Sequence, residues 1–245
     1  MSRYDRRRFL EDSMFAAAAA VSAGSALPAF ADEKQSGSPN EKLNVAVVGV
    51  NGRGGSHIGG FSARKDTPIT WIVDCDEAVG KKRAEAVAKK QGFAPKFTTD
   101  LRKMLEDKEV HVVSIATPNH WHALAAIWAI QAGKDVYVEK PVSHNVSEGR
   151  RIVEAARKHG KICQTGTQCR SMPGSQEAIA YMKAGKIGQV KIARGLCYKP
   201  RKSIGARGTY EIPSSVDYNL WAGPAPMSPL TRPKFHYDWH WQWEC

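Results

Sequence analysis

The chain has 245 residues, 42% of them hydrophobic and 24% charged, and a formal net charge of +12. These values fit a soluble globular protein with one large core or two modest ones, and they exclude a fibrous or intrinsically disordered chain. Lys and Arg are interleaved with acids, as in "GKKRAEAVAKK" and "EGRRIVEAARKHGK", so the excess charge reads as a solvated surface and no nucleic-acid partner is expected.

The first segment stands apart from the fold. "DRRRFLEDSMFAAAAAVSAGSALPAFADEK" has a basic stretch, an Ala-rich stretch and a small-x-small exit at Ala29-Phe30-Ala31, and Arg6-Arg7-Arg8-Phe9-Leu10 resembles a twin-arginine export signal. Met14 to Phe30 is shorter and less apolar than the ~20 residues that a membrane span needs. The expectation is therefore cleavage after Ala31 and a periplasmic or otherwise exported protein without a transmembrane span. An Ala-rich amphipathic helix or a membrane anchor is the alternative. Removing residues 1–31 takes away four Arg and three acids and leaves a net charge of +11. Residues 32–42, polar and rich in Ser, Gly and Pro, read as a linker.

From Leu43, apolar runs of strand length alternate with helical patterns. "LNVAVVGV" is a strand and "GSHIGGFSAR" a helix; "ITWIVD" is a strand and "EAVGKKRAEAVAKKQG" an amphipathic helix ending at Gly92. "KFTT", "VHVVSIATP", "DVYVEK" and "KICQTG" are further strands, separated by the helices "DLRKMLED", "HWHALAAIWAIQAG" and "SEGRRIVEAARKHG". Near-continuous apolar strands separated by helices imply an α/β fold with a doubly wound parallel sheet, assigned to residues 43–166. Beyond Gly166 come a helix ("SQEAIAYMKAGKIG"), an alternating strand ("QVKIARGLCY") and a long Pro- and Gly-rich stretch. Residues 167–245 therefore read as the opening of a second domain. Five cysteines without paired spacing imply neither a disulfide framework nor a zinc knuckle; they read as buried small hydrophobes, with Cys245 an exposed thiol.

"VGVNGRGG" follows the first strand and opens the first helix, with Gly49 and Gly54 at the first and last positions of G-x-G-x-x-G. Residues without bulk let backbone N–H groups at a helix N-terminus approach a pyrophosphate, which makes Gly49, Asn51, Gly52, Arg53 and Gly54 the candidate phosphate turn. Asp74 lies 20 residues after Gly54, at the end of the second strand, where an acid accepts hydrogen bonds from the adenosine ribose. A carboxylate there repels a 2′-phosphate, so NAD is preferred over NADP. Asp74 as a helix N-cap is the competing reading, and Asp76 competes for both roles. "VYVEKP" puts Glu139, Lys140 and Pro141 at the carboxyl edge of the sheet, where open α/β folds bind ligands. His120 with His122, and His236 with His240, have no Cys or acidic companion at a recognisable spacing, so no metal is expected.

Together, "VGVNGRGG", Asp74, "ATPNHWH" and "VEKP" resemble the glucose-fructose oxidoreductase and inositol dehydrogenase family (Gfo/Idh/MocA). "VDYNLWAGPAP" and "FHYDWHW" are similar to its exported bacterial members. The resemblance implies that Lys140 is catalytic and contacts both nicotinamide and substrate, and that Pro141 follows a cis bond. It implies that Thr117, Pro118, Asn119, His122 and Glu139 line the dinucleotide. Gln168, Arg170, His236, Trp239 and His240 fall on the substrate side. Asn51 departs from the family's second glycine.

The implied activity is an NAD-dependent oxidation at the CH–OH group of a sugar, cyclitol or polyol. The implied second domain is α+β, with a mostly antiparallel open sheet through which a full-length form associates with itself. A redox-assisted, NAD-dependent glycosidase and a non-catalytic NAD-binding fragment are the rival readings. The family's acid-base histidine, placed shortly after an aspartate, has no counterpart before Cys245. The resemblance therefore implies the amino-terminal part of a longer enzyme, able to bind NAD and catalysing poorly. The closing stripe Phe235, Tyr237, Trp239, Trp241, Trp243 has period two, which argues for a half-buried strand; the resemblance implies instead an irregular wall of the sugar site.

Overall fold

The computed structural model describes residues 42–198, 200 and 202–245. The export signal expected over 1–31, and the linker apart from Lys42, lie outside the described residues. β1 (Val45–Val48) shows why the sheet is covered on both faces, because its alternate side chains enter two separate cores. Val45 and Val47 join Ile69, Ile72 and Val87, whereas Ala46 and Val48 join Val113, Ile115 and Val138. All four are at most 3% exposed, and a strand with no wet face reads as an unbroken apolar run. Each buried Val or Ile contributes roughly 1.5–3 kcal/mol.

The other strands are β2 (Ile69–Val73), β3 (Lys96–Thr98), β4 (Val112–Ile115), β5 (Asp135–Glu139) and β6 (Cys163–Gly166). All pairs are parallel, in the order β3-β2-β1-β4-β5-β6. The chain steps outward from β1 to β3, then crosses back to β4. The order therefore reverses between β1 and β4, and ligands of such sheets bind at that point, outside the carboxyl ends of the strands.

The intervening helices are α1 (Gly54–Ser62), α2 (Glu77–Gln91), α3 (Leu101–Leu105), α4 (Asn119–Gln131) and α5 (Val146–His159). Apolar on nearly every side, α4 buries eight of its residues, as a helix without a polar face must. α2 lies so close to β3 that a Cβ on Gly80 would overlap the Phe97 ring. Asn145 caps α5 by accepting from Glu148 N at 3.0 Å, while its own amide donates to Glu148 Oε1 at 3.0 Å. That reciprocal pairing fixes where the helix begins.

A 3₁₀ turn (Gln168–Ser171), α6 (Pro173–Lys183), α7 (Tyr218–Ala222), α8 (Phe235–Asp238) and a last 3₁₀ turn (Trp239–Trp241) follow β6. Among the described residues no strand follows β6. The alternating "QVKIARGLCY" does not form one: Val190 and Ile192 are 54% and 71% exposed. An alternating segment needs a ladder partner and a face to bury, and the described residues give it neither.

Residues 215–245 return to the carboxyl edge of the sheet. Val216 forms an isolated antiparallel bridge with Asp76, and Asp217 N donates to Cys75 O at 2.9 Å. Trp221, Ala222, Leu230, Phe235 and Cys245 form a small core of their own there. Cys245 is therefore buried, while Cys169 and Cys197 are exposed. The aromatic stripe is helical, not a strand. Residues two apart do not share a helix face, so Phe235 is buried in that small core while Trp243, just beyond the last turn, is 90% exposed.

Candidate functional site

A cavity of about 610 Å³ opens at the carboxyl edge, within the range of cofactor sites. Its floor is the turn from β1 into α1. Gly49 has φ +79°, in the left-handed region that favours glycine. A Cβ there would lie 2.8 Å from both the Ala116 carbonyl carbon and the Thr117 nitrogen. A Cβ on Gly54 would overlap the Gly49 carbonyl oxygen. Both glycines are thus required by close backbone approach. Asn51 is not in the left-handed region, and a Cβ on Gly52 would meet nothing within 4 Å. The turn accordingly closes with an ordinary residue where G-x-G-x-x-G has its second glycine.

Two groups brace this turn. Asp74 Oδ2 accepts from Val50 N at 2.8 Å and its Oδ1 from Asp76 N at 3.0 Å. Burial pushes the Asp74 carboxyl up, against the pull of those two N–H donors. Arg83, on α2, donates from Nε to Val50 O and from a terminal nitrogen to Asn51 O, both at 3.0 Å. The guanidinium offsets the negative ends of those two carbonyls, which lessens their repulsion of an anion at the turn. The helix cap falls to Asp76, which accepts from Ala78 N and Val79 N and also contacts His236 Nε2 at 2.8 Å. Burial works against ionisation of Asp76, but donors from Ser215, Val79 and His236 hold its carboxyl below the usual range.

At the other end stand Glu139 and the exposed Lys140, joined to Pro141 by a cis peptide bond. Glu139 Oε1 accepts from Arg53 Nε at 2.8 Å, from His57 Nε2 at 2.9 Å and from Gln168 Nε2 at 2.7 Å. Burial would raise its pKa, yet these three donors outweigh it and hold the carboxyl at about 2. His122 sits between two carbonyls, with Nδ1 2.6 Å from Pro141 O and Nε2 2.9 Å from Thr117 O. Burial lowers its pKa even though both carbonyls favour the protonated ring. His122 thereby ties the loop before α4 to the Lys140–Pro141 turn.

Of the residues singled out from the sequence, Gly49, Asn51, Gly52, Arg53, Asp74, Thr117, Pro118, Asn119, His122, Glu139, Lys140, Gln168, His236, Trp239 and His240 all line this one cavity. Gly54 lies beneath it, behind Gly49. Arg170 is exposed and does not line it. His236 is against Asp76, at the β2 side. Among the described residues no three His, Cys, Asp or Glu side chains gather as a metal site, and no helix is long and apolar enough to cross a membrane.

Sequence reasoning passed over Arg83, His57 and Trp121. Trp121 Nε1 donates to Leu220 O and Trp221 O, both at 3.0 Å, and docks the aromatic wall onto α4. His57 was within reach, since it follows Arg53 by four residues and so shares its helix face. Arg83 carried no local signal.

The cradle suits a dinucleotide on grounds internal to the chain. Its two glycines admit no side chain, and the buried Thr117 Oγ1 has no hydrogen-bond partner, which leaves a hydroxyl for a ligand to engage. A doubly wound sheet with this turn at its switch point defines a dinucleotide-binding α/β protein. Residues 43–167 match the Gfo/Idh/MocA model, "Oxidoreductase family, NAD-binding Rossmann fold". The chain belongs to that family.

Levoglucosan dehydrogenase of Pseudarthrobacter phenanthrenivorans is 32% identical over 63% of this chain and 40% of its own length. A glycosyl hydrolase family 109 protein of Shewanella baltica is 31% identical over 66% of this chain and 39% of its own. The chain thus spans about two fifths of the length of these relatives. A solved levoglucosan dehydrogenase in complex with NADH and levoglucosan matches with a TM-score of 0.51 and 29% identity, over 60% of this chain and 39% of that one.

Proposed function

We propose that this chain binds NAD(H) in the carboxyl-edge cavity and serves an oxidoreductase acting on the CH–OH group of a sugar, cyclitol or polyol. The observation that carries this reading is one cavity that joins the Gly49–Gly54 turn to Lys140. Bound NAD would supply the hydride acceptor. The chain's own residues would do the rest. Backbone N–H groups at the amino end of α1 favour the diphosphate, and Asp74 faces the adenosine ribose. Lys140 Nζ would donate to the substrate hydroxyl oxygen, its charge easing loss of that hydroxyl's proton. His236, Trp239 and His240 form the facing wall, and residues 167–245 belong to a substrate and association domain in this reading.

Trp121, Trp221 and Trp239 line the cavity, so titrating NADH into the chain should quench Trp emission and sensitise nicotinamide emission. A well-folded preparation that shows neither effect overturns the proposal. The family 109 relative supports a second reading, redox-assisted glycoside cleavage. Release of an aryl aglycone without net NAD reduction would favour it, whereas NAD reduction with a polyol favours the first. Export is part of the proposal, supported by Arg6-Arg7-Arg8-Phe9-Leu10, and amino-terminal sequencing of periplasmic material tests cleavage after Ala31.

A further inference from the structure

We propose that His57 is a positioning residue for Lys140, acting through Glu139; this rests on the reading of Lys140 given above. His57 is 7% exposed and does not line the cavity, so it does not touch a ligand there. Its two ring nitrogens are both engaged, Nδ1 with Ser114 Oγ at 2.8 Å and Nε2 with Glu139 Oε1 at 2.9 Å. Ser114 is fully buried on β4. One neutral tautomer satisfies the whole set: the Ser114 hydroxyl donates to Nδ1, and Nε2–H donates to the carboxylate. The Tyr137 ring meets the imidazole edge-on, with centroids 5.2 Å apart, and holds its plane.

The carboxylate so held is a junction. Through Oε1 it holds Arg53 of the phosphate turn and Gln168 of the loop after β6; through Oε2 it accepts the backbone N–H of Lys140 at 3.2 Å. The start of α1, the loop after β6 and the backbone of Lys140 meet on one side chain that is 5% exposed. Of the three side-chain donors, Arg53 is half-exposed and His57 is buried. A buried donor held by a second hydrogen bond fixes an acceptor better than a long, solvated one, whose ordering costs rotamer entropy. Without His57, the Glu139 carboxylate keeps only Arg53, Gln168 and the Lys140 N–H and is held less firmly beside Lys140, and an opposite charge that swings toward an ammonium raises a lysine pKa.

The test measures the rate at which Lys140 in the chain reacts with an amine-acylating reagent as a function of pH, read by peptide mass spectrometry. NADH titration and thermal melting run alongside. His57→Leu should slow Lys140 labelling near pH 8 by at least about threefold and move its midpoint upward. His57→Gln, whose amide can still donate to Glu139, should restore most of the rate. Ser114→Ala, which keeps the ring but frees its tautomer, should move the midpoint in the same direction by less.

A lower melting temperature with an unchanged Lys140 profile means a structural role only and overturns the proposal. If His57→Leu does not fold, Ser114→Ala decides: a shifted profile supports the proposal and an unshifted one overturns it. Absence of NADH binding to the unmodified chain would sink the functional reading, yet the Lys140 profile would still decide the link between His57 and Lys140.

Discussion

Asp74 Oδ2 lies 2.8 Å from the backbone nitrogen of Val50, so the carboxylate expected to grip a ribose also braces the turn that would hold the diphosphate. Its other oxygen takes Asp76 N. Removing the side chain leaves two buried N–H groups unpaired, at a cost of about 1–3 kcal/mol each. Asp74→Ala should therefore lower the melting temperature as well as NADH affinity, and cannot by itself prove a ribose contact. The ratio of NADH to NADPH affinity is the cleaner measure. We expect the unmodified chain to favour NADH by at least about tenfold and Asp74→Asn to bring the ratio toward one. An unchanged ratio would remove Asp74 from the ribose site.

Gly49 and Gly52 differ in what a methyl group would meet. Gly49→Ala places a Cβ against backbone at a left-handed position, and the conformation alone costs about 1–2 kcal/mol. It should melt well below the unmodified chain. Gly52→Ala should melt unchanged, because its Cβ meets no atom of the chain. If the open space above Gly52 is where the diphosphate lies, the same variant loses NADH affinity in fluorescence titration while remaining fully folded.

Glu139 makes a prediction with a definite sign in pH. Its carboxyl is held at about 2 in the folded chain, below the ordinary value of roughly 4.3. A depressed folded pKa contributes stability above the unfolded value, and that contribution disappears as pH falls toward about 2. Glu139→Gln should therefore be less stable than the unmodified chain near pH 7. The gap should close between about pH 5 and pH 2, as followed by urea unfolding. A gap independent of pH would show that the carboxylate's charge is not what the network uses.

Arg83 holds the turn from β1 into α1 through the carbonyls of Val50 and Asn51. Arg83→Met keeps much of the aliphatic stem and removes both donors. NADH affinity should fall several-fold, with a loss of roughly 1.5–3 kcal/mol in stability, the range for hydrogen bonds given by a charged group. Full retention of affinity would mean that the backbone of the turn stands unaided.

The parallel sheet was legible because its signal is local. "VAVV" and "VVSI" are short, mostly β-branched runs without a charged residue, and α2 and α5 carry their own stops, Gly92 at φ +84° and Gly160 at φ +62°. The ends of the site were legible too, since a glycine turn after one strand and a Glu-Lys-Pro at the end of another are short, contiguous patterns. The strand expected at "QVKIARGLCY" failed because alternation states a preference for a half-buried surface, and the described residues supply none there. Of the two readings of the closing aromatic stripe, the strand suggested by period two failed for a related reason, because that period can arise in a helical segment whose rings face different directions.

The sequence alone determined the order of strands and helices as far as β6 and the close-packed glycines of the turn from β1 into α1, because each follows from residues within a few positions of one another. Only the tertiary structure decided that Ser114, His57 and Glu139 form one chain of hydrogen bonds, with separations of 57 and 82 residues. It alone assigned the helix cap to Asp76 and the turn brace to Asp74 and Arg83. Such pairings depend on which strand ends lie side by side at the carboxyl edge of the sheet, and strand order is set by packing on both faces at once, which no local stretch of residues encodes.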